Sequence, residues 1–106
     1  MMRPGIYLSG PITGIRNYRE RFAAAEHLLR DMGWAPVNPA ALPQGFDRKT
    51  YMAMDLMTML NCPAVVMLTG WENSAGARIE KALAEYVGLT VYGSLDEVPE
   101  VGEPEM

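Results

Sequence analysis

Residues 5–9 (Gly-Ile-Tyr-Leu-Ser) form a short apolar run that stops at Gly10-Pro11, the pattern of a buried strand running into a loop. The period then changes. Tyr18, Phe22, Ala25, Leu29 and Met32 recur at i, i+4, i+7, i+11 and i+14, while Arg19, Glu26 and Arg30 lie off that stripe, which predicts an amphipathic helix. Asn17, with Glu20 three residues on, is an Asn variant of the capping box, and Gly33 closes the helix. Residues 34–38 read as a second short strand, and residues 39–47, with two prolines and a glycine, as a loop that cannot extend it.

Residues 48–61 read as a helix that is apolar almost all round, hence buried on more than one side; five of the nine methionines lie between Met52 and Met67. Residues 63–68 (Pro-Ala-Val-Val-Met-Leu) are a continuous apolar run of the kind found in the middle of a parallel sheet. After a loop at residues 70–74, residues 75–87 repeat the helical stripe with Ile79, Leu83, Tyr86 and Val87, and Gly88 ends it. Residues 89–92 are a last strand. The order β-α-β-α-β-α-β predicts an α/β three-layer sandwich, flavodoxin-like or Rossmann-like, with a parallel sheet of about four strands.

The charge is unevenly distributed along this frame. Five of the thirteen acidic residues, Asp96, Glu97, Glu100, Glu103 and Glu105, follow residue 95 with no basic residue among them, so residues 1–95 hold nine basic and eight acidic groups. This divides the chain into a single near-neutral domain, residues 1–95, and an acidic flexible tail, residues 96–106, which Pro99, Gly102 and Pro104 keep from forming a helix or burying apolar surface. A near-neutral body has no broad basic face for nucleic acid. Its N-terminal apolar run is far short of a signal sequence or a ~20-residue membrane span. A single Cys62 and a single His27 make neither an intramolecular disulfide nor a zinc site, which points to a reducing cytoplasm. A domain this small often shares its core or its site with a second copy, so a homo-oligomer is expected.

Three positions break the local rules. Asp55 is the one ionisable side chain from Tyr51 to Leu60, on an otherwise apolar helix surface where a carboxylate is costly without a partner. Glu80 poses the same question on the next helix, sharing a side with Gly76, Leu83 and Val87. Ser74-Ala75-Gly76 opens that helix with a hydroxyl and a glycine, a natural anion site. Each also has an ordinary account: a boundary carboxylate paired with a base or a backbone amide, and a plain serine N-cap. In an α/β sheet ligands sit beyond the carboxyl ends of the strands, here the loops at residues 9–16, 38–48 and 69–74. Taken together, the two carboxylates and the helix start would face one crevice there. Two carboxylates about 5 Å apart suit chemistry at a sugar anomeric carbon, as nucleophile and general acid or base. Tyr7 and Ser9 could add hydroxyls to that pocket, or be a core aromatic and a turn residue.

Ile6-Tyr7-Leu8-Ser9-Gly10-Pro11, Asn17-Tyr18 with Phe22, Val37-Asn38-Pro39, Tyr51-Met52 with Asp55-Leu56, and Ser74-Ala75-Gly76-Ala77-Arg78-Ile79-Glu80 together resemble the nucleoside 2-deoxyribosyltransferase-like superfamily, most closely a small phage- and prophage-associated family within it. The similarity spans about residues 5–92. The resemblance implies cleavage, by hydrolysis or transfer, of the N-glycosidic bond of a 2'-deoxynucleoside or its 5'-monophosphate. In that case Glu80 is the nucleophile that attacks C1', Asp55 assists, and Ser74 contacts the 5'-phosphate. Tyr7, Ser9 and Gly10 line the sugar and phosphate, with Asn38 and Gly76 in the same pocket. Ser74 stands where transferases of free nucleosides carry an aspartate, which favours a phosphorylated ligand. Arg16 is the residue that could replace the arginine of the hydrolases' glycine loop. The expected partner is a small nucleotide or nucleoside, with no nucleic acid, membrane, metal or organic cofactor, in a bacterial or phage-infected cytoplasm. The rival from another class is a module that binds a nucleotide or nucleotide-derived signal without cleaving it.

Overall fold

The computed structural model describes residues 2–102. It contains four strands, β1 (Gly5–Ser9), β2 (Ala35–Val37), β3 (Ala64–Met67) and β4 (Thr90–Tyr92), and three long helices, α1 (Tyr18–Asp31), α2 (Arg48–Leu60) and α3 (Ala75–Val87). The strands form one parallel sheet in the order β2-β1-β3-β4. This is the three-layer α/β arrangement that the alternating pattern predicts. Pro36 is tolerated in β2 because that strand is an edge and pairs with β1 alone.

The period of two along the strands sorts the core into two halves. Ile6 and Leu8 of β1 and Ala64 and Val66 of β3 pack with Phe22, Ala25 and Leu29 of α1 on one side. On the other side, Tyr7, Val65 and Met67 pack with Met59 of α2 and with Ala77 and Ala84 of α3. The chain leaves β1 towards β2 and leaves β3 towards β4, in opposite directions across the sheet. Beyond the carboxyl ends of β1 and β3, then, the loops diverge and open a crevice, the usual ligand position in such sheets. Gly10 lies at its edge. A Cβ there would sit 2.8 Å from Leu68 Cβ, so the close approach of the two loops requires glycine.

Four expectations are corrected. Asn17 does precede α1, but its side chain makes no capping hydrogen bond. Helix α2 is not buried on several sides, since Met59 is its single fully buried residue and Met57 is 68 % exposed. Its contact with the sheet is narrow, and no described element covers its outer face. Helix α3 is rotated away from most of its large apolar stripe: Ala77, Glu80 and Ala84 face inward with Leu83 partly buried beside them, while Ile79 and Val87 are half exposed and Tyr86 is 88 % exposed. Small alanines let the helix lie close to the sheet, and their weak apolar signal is masked by the bulkier residues outside. Finally, residues 96–101 are not a solvated appendage. A 3-10 turn at Leu95–Glu97 leads to a buried Val98, Trp34 Nε1 donates to Pro99 O at 2.9 Å, and Val101 N donates to Met32 O at 2.9 Å. The few apolar residues between the charges suffice to close the open end of the α1 layer. Glu103 and Glu105 lie outside the described residues.

Candidate active site

The crevice holds one large cavity of about 950 Å³, at the upper end of the range for small-molecule sites. All three loops expected at the ligand end contribute to its wall, through residues such as Ile12, Leu42 and Thr69. Its floor is set by strand periodicity. Tyr7 and Ser9 are two apart on β1 and project to the same side of the sheet, the side against which α3 lies. Glu80, three residues from Ala77 and four from Ala84, is on the buried face of α3 and meets them. Tyr7 Oη donates to Glu80 Oε2 at 2.7 Å, and Ser9 Oγ donates to Glu80 Oε1 at 2.6 Å. Both oxygens of one carboxyl group are thus oriented by hydroxyls from a single strand.

Glu80 is 6 % exposed. Burial pushes its carboxyl up to about 7, with the neighbouring Asp55 charge adding to the rise and the two hydroxyl donors opposing it. Tyr7 is raised above its ordinary value by burial first and by the Glu80 charge second. Asp55, on α2, lines the same cavity and is pushed up to about 6 by burial. Its Oδ1 is buried without a hydrogen-bond partner among the described residues. An unpaired buried carboxyl oxygen beside a cavity is suited to hold or accept a proton from whatever enters.

Ser74 caps α3, accepting from Ala77 N at 3.2 Å, which leaves its hydroxyl proton free to donate. With Gly10 and Gly76 it lines the cavity. The cleft therefore brings together Glu80, Asp55, Tyr7, Gly10, Ser74 and Gly76, with Ser9 directly behind Glu80. Three expected residues do not line it: Ser9 is fully buried with its hydroxyl engaged by Glu80, so it orients that carboxyl and does not meet a ligand, and Asn38 and Arg16 are not brought in. Asn38 is used structurally: its Oδ1 accepts from Ala40 N at 2.8 Å and its Nδ2 donates to Glu26 Oε1 at 3.0 Å, which ties the loop after β2 to α1. It borders a side cavity of about 50 Å³ that Tyr7 and Asp55 also reach, not the main one. Arg16 is exposed and does not line the cavity, although Ile15 before it and Tyr18 after it do.

The lining also includes Tyr18, Arg19 and Arg21 of α1 and Arg48 and Tyr51 of α2, none of which was singled out as a site residue from sequence. The loop between β2 and α2 is fastened over them, with Tyr51 Oη donating to Pro43 O at 2.6 Å and Phe46 stacked edge-on against Tyr51 at 5.6 Å. Among the described residues, no three His, Cys, Asp or Glu side chains come together as metal ligands, and no helix is long and apolar enough to cross a membrane.

A family model described as a domain of unknown function, DUF4406, matches residues 4–92. No curated protein matches the chain.

Proposed function

We propose that this chain, which belongs to the DUF4406 family, cleaves the N-glycosidic bond of a 2'-deoxynucleoside or its 5'-monophosphate. The observation that carries this reading is the pair of raised carboxyls in one cleft, Glu80 gripped at both oxygens and Asp55 with an oxygen unpartnered. The resemblance of the site residues to the nucleoside 2-deoxyribosyltransferase-like superfamily supports the choice of bond.

In the first step the pair reacts in the form that carries its one proton on Asp55: an oxygen of ionised Glu80 bonds to C1' as the C1'–N bond breaks, and the departing base nitrogen takes that proton. In the second step water adds to C1' and gives its proton to Asp55, and Glu80 leaves as the carboxylate. A second base in place of water gives transfer. The low-polarity floor strengthens the interaction of Glu80 with the positive charge that develops on the sugar. Tyr7 and Ser9 hold Glu80 in one orientation, so little reorganisation accompanies attack. The single buried Cys62 is consistent with a reducing cytoplasm, and the exposed apolar residues Met57, Leu60 and Tyr86 on α2 and α3 favour self-association.

The test is incubation with a panel of deoxynucleosides and their 5'-monophosphates, with free base detected by chromatography. Release by the wild type and loss of it in Glu80→Ala is the expected result; no release by the wild type from any member defeats the proposal. A second reading draws on the same hydrogen bonds. A carboxyl that accepts from two hydroxyls and titrates near pH 7 also suits a module that binds a nucleotide without cutting it. Thermal stabilisation by the panel with no base released selects that reading.

A further inference from the structure

Arg19, Arg21 and Arg48 all line the cavity of a chain whose formal net charge is −4. Arg21 is occupied as a brace, donating to Thr69 O at 2.9 Å. The other two are not. Arg19 lies over the Tyr18 ring at 5.5 Å and touches Tyr18 Oη through Nε, so the rest of its guanidinium fork is open. Arg48 makes no side-chain hydrogen bond among the described residues, and neither arginine is in ion-pair reach of a carboxylate there; the ion pairs formed join His27–Asp31, Arg30–Glu26 and Lys81–Glu85. Both also stand in the first turn of a helix, where the positive end of the macrodipole disfavours a cation. Both side chains are exposed at the mouth of one cavity, where their open guanidinium donors suit an anion that enters it. Helices α1 and α2 pack on opposite sides of the sheet, so the pair flanks the cleft. Asp55 and Glu80 line the same cavity and repel an anion that enters it, and cations at the mouth offset that repulsion. A guanidinium fork matches a phosphate in two hydrogen bonds.

We infer that Arg19 and Arg48 are specificity-determining residues that make the cleft select a phosphorylated nucleotide over the free nucleoside. The inference rests on the proposed function for the identity of the ligand and names residues that neither the serine cap nor Arg16 supplies.

Two measurements test it. The first is the ratio of kcat/KM for a deoxynucleoside 5'-monophosphate to that for the same free deoxynucleoside, in wild type, Arg19→Ala, Arg48→Ala and Arg48→Lys. The wild type should favour the monophosphate, each alanine should lower the ratio roughly tenfold, and lysine should restore part of it, as expected for a charge-assisted hydrogen bond. A ratio unchanged within about twofold in both alanine variants overturns the inference. The second is calorimetric binding of the monophosphate, the nucleoside and inorganic phosphate to Glu80→Gln with and without the arginines. Here the expected result is monophosphate binding weakened about tenfold by either alanine, and equal binding overturns the inference. If the wild type releases no base, the proposed function fails while calorimetry still decides the role of the arginines; if no nucleotide binds, both fall.

Discussion

Tyr7 and Glu80 are separated by 73 residues, yet Tyr7 Oη lies 2.7 Å from Glu80 Oε2 and donates to it at the floor of the cleft. The contact exists because β1 and β3 pair in parallel and α3, which follows β3, lies back across the side of β1 that carries Tyr7. Replacing Tyr7 with Phe keeps the ring and removes the donor. Glu80 then loses one of the two bonds that favour its ionised form, so the pH at which it titrates rises above about 7. In a rate profile against pH, the limb set by Glu80 should move to higher pH, and denaturant unfolding should show a loss of about 1–3 kcal/mol from a buried carboxyl oxygen left without its donor. An unmoved limb would show that the bond does not tune Glu80.

Asp55→Asn separates proton transfer from attack. Base release should fall by roughly 10²- to 10⁴-fold, the usual contribution of a general acid or base. The loss should be smallest for substrates whose base departs readily without a proton. Removing the Asp55 charge also lowers the pKa of Glu80, since that charge is one of the causes of its rise. The wild-type profile of kcat/KM should be bell-shaped around pH 6 to 7, with limbs that belong to the coupled pair; the variant should lose one limb.

Stability should depend on pH through the same groups. The folded state holds Glu80 near 7 against 4.5 when unfolded, so its contribution is fully present below pH 4.5 and is lost as pH rises through about 7. Ionising it in the fold costs on the order of 3 kcal/mol. Asp55, raised from 3.8 to about 6, acts in the same direction over that lower window. Glu80→Gln should therefore unfold at a higher temperature than wild type at pH 8, by several degrees for a domain of this size, and at nearly the same temperature at pH 4. Equal melting points at pH 8 would contradict a buried, reluctantly ionised Glu80.

Val98 tests the closing segment. It is 6 % exposed and packs in the core layer that contains Trp34 and Leu29. Val98→Ala should cost roughly 2 kcal/mol and lower the melting point by roughly 10 °C, measured by calorimetry. A neutral result would return residues 96–101 to the solvated role that their charge suggests.

Much of the fold was legible because it depends on local periodicity. The run at residues 5–9 and the helix at residues 75–87 coincide with β1 and α3, and the repeated alternation of strand and helix is enough for a parallel three-layer sheet. Asp55 and Glu80 were visible as charges out of place on apolar helices, since the penalty for burying a carboxylate does not depend on knowing its neighbours. That Glu80 is held by Tyr7 and Ser9 was not visible, because the contact depends on strand register and on which face of α3 turns inward. Of the bulky stripe Ile79, Leu83, Tyr86 and Val87 only Leu83 packs towards the core, and the packing of small Ala77 and Ala84 against the sheet decides which face turns inward.

The rim followed the same division. Arg16 was the nearest arginine in sequence to the first loop, but it is exposed and does not line the cavity, while Arg19 and Arg48 reach it from two helices on opposite sides of the sheet. Asn38 reads as a pocket residue until its amide is found bonded to Ala40 and Glu26. By itself the sequence determined the elements, their order and the two costly carboxyls, all consequences of short-range period and of polarity. The tertiary structure alone decided which side chains Glu80 meets, which cations line the same cavity and that residues 98–101 pack, because each of these depends on distances between segments that the chain brings together only when folded.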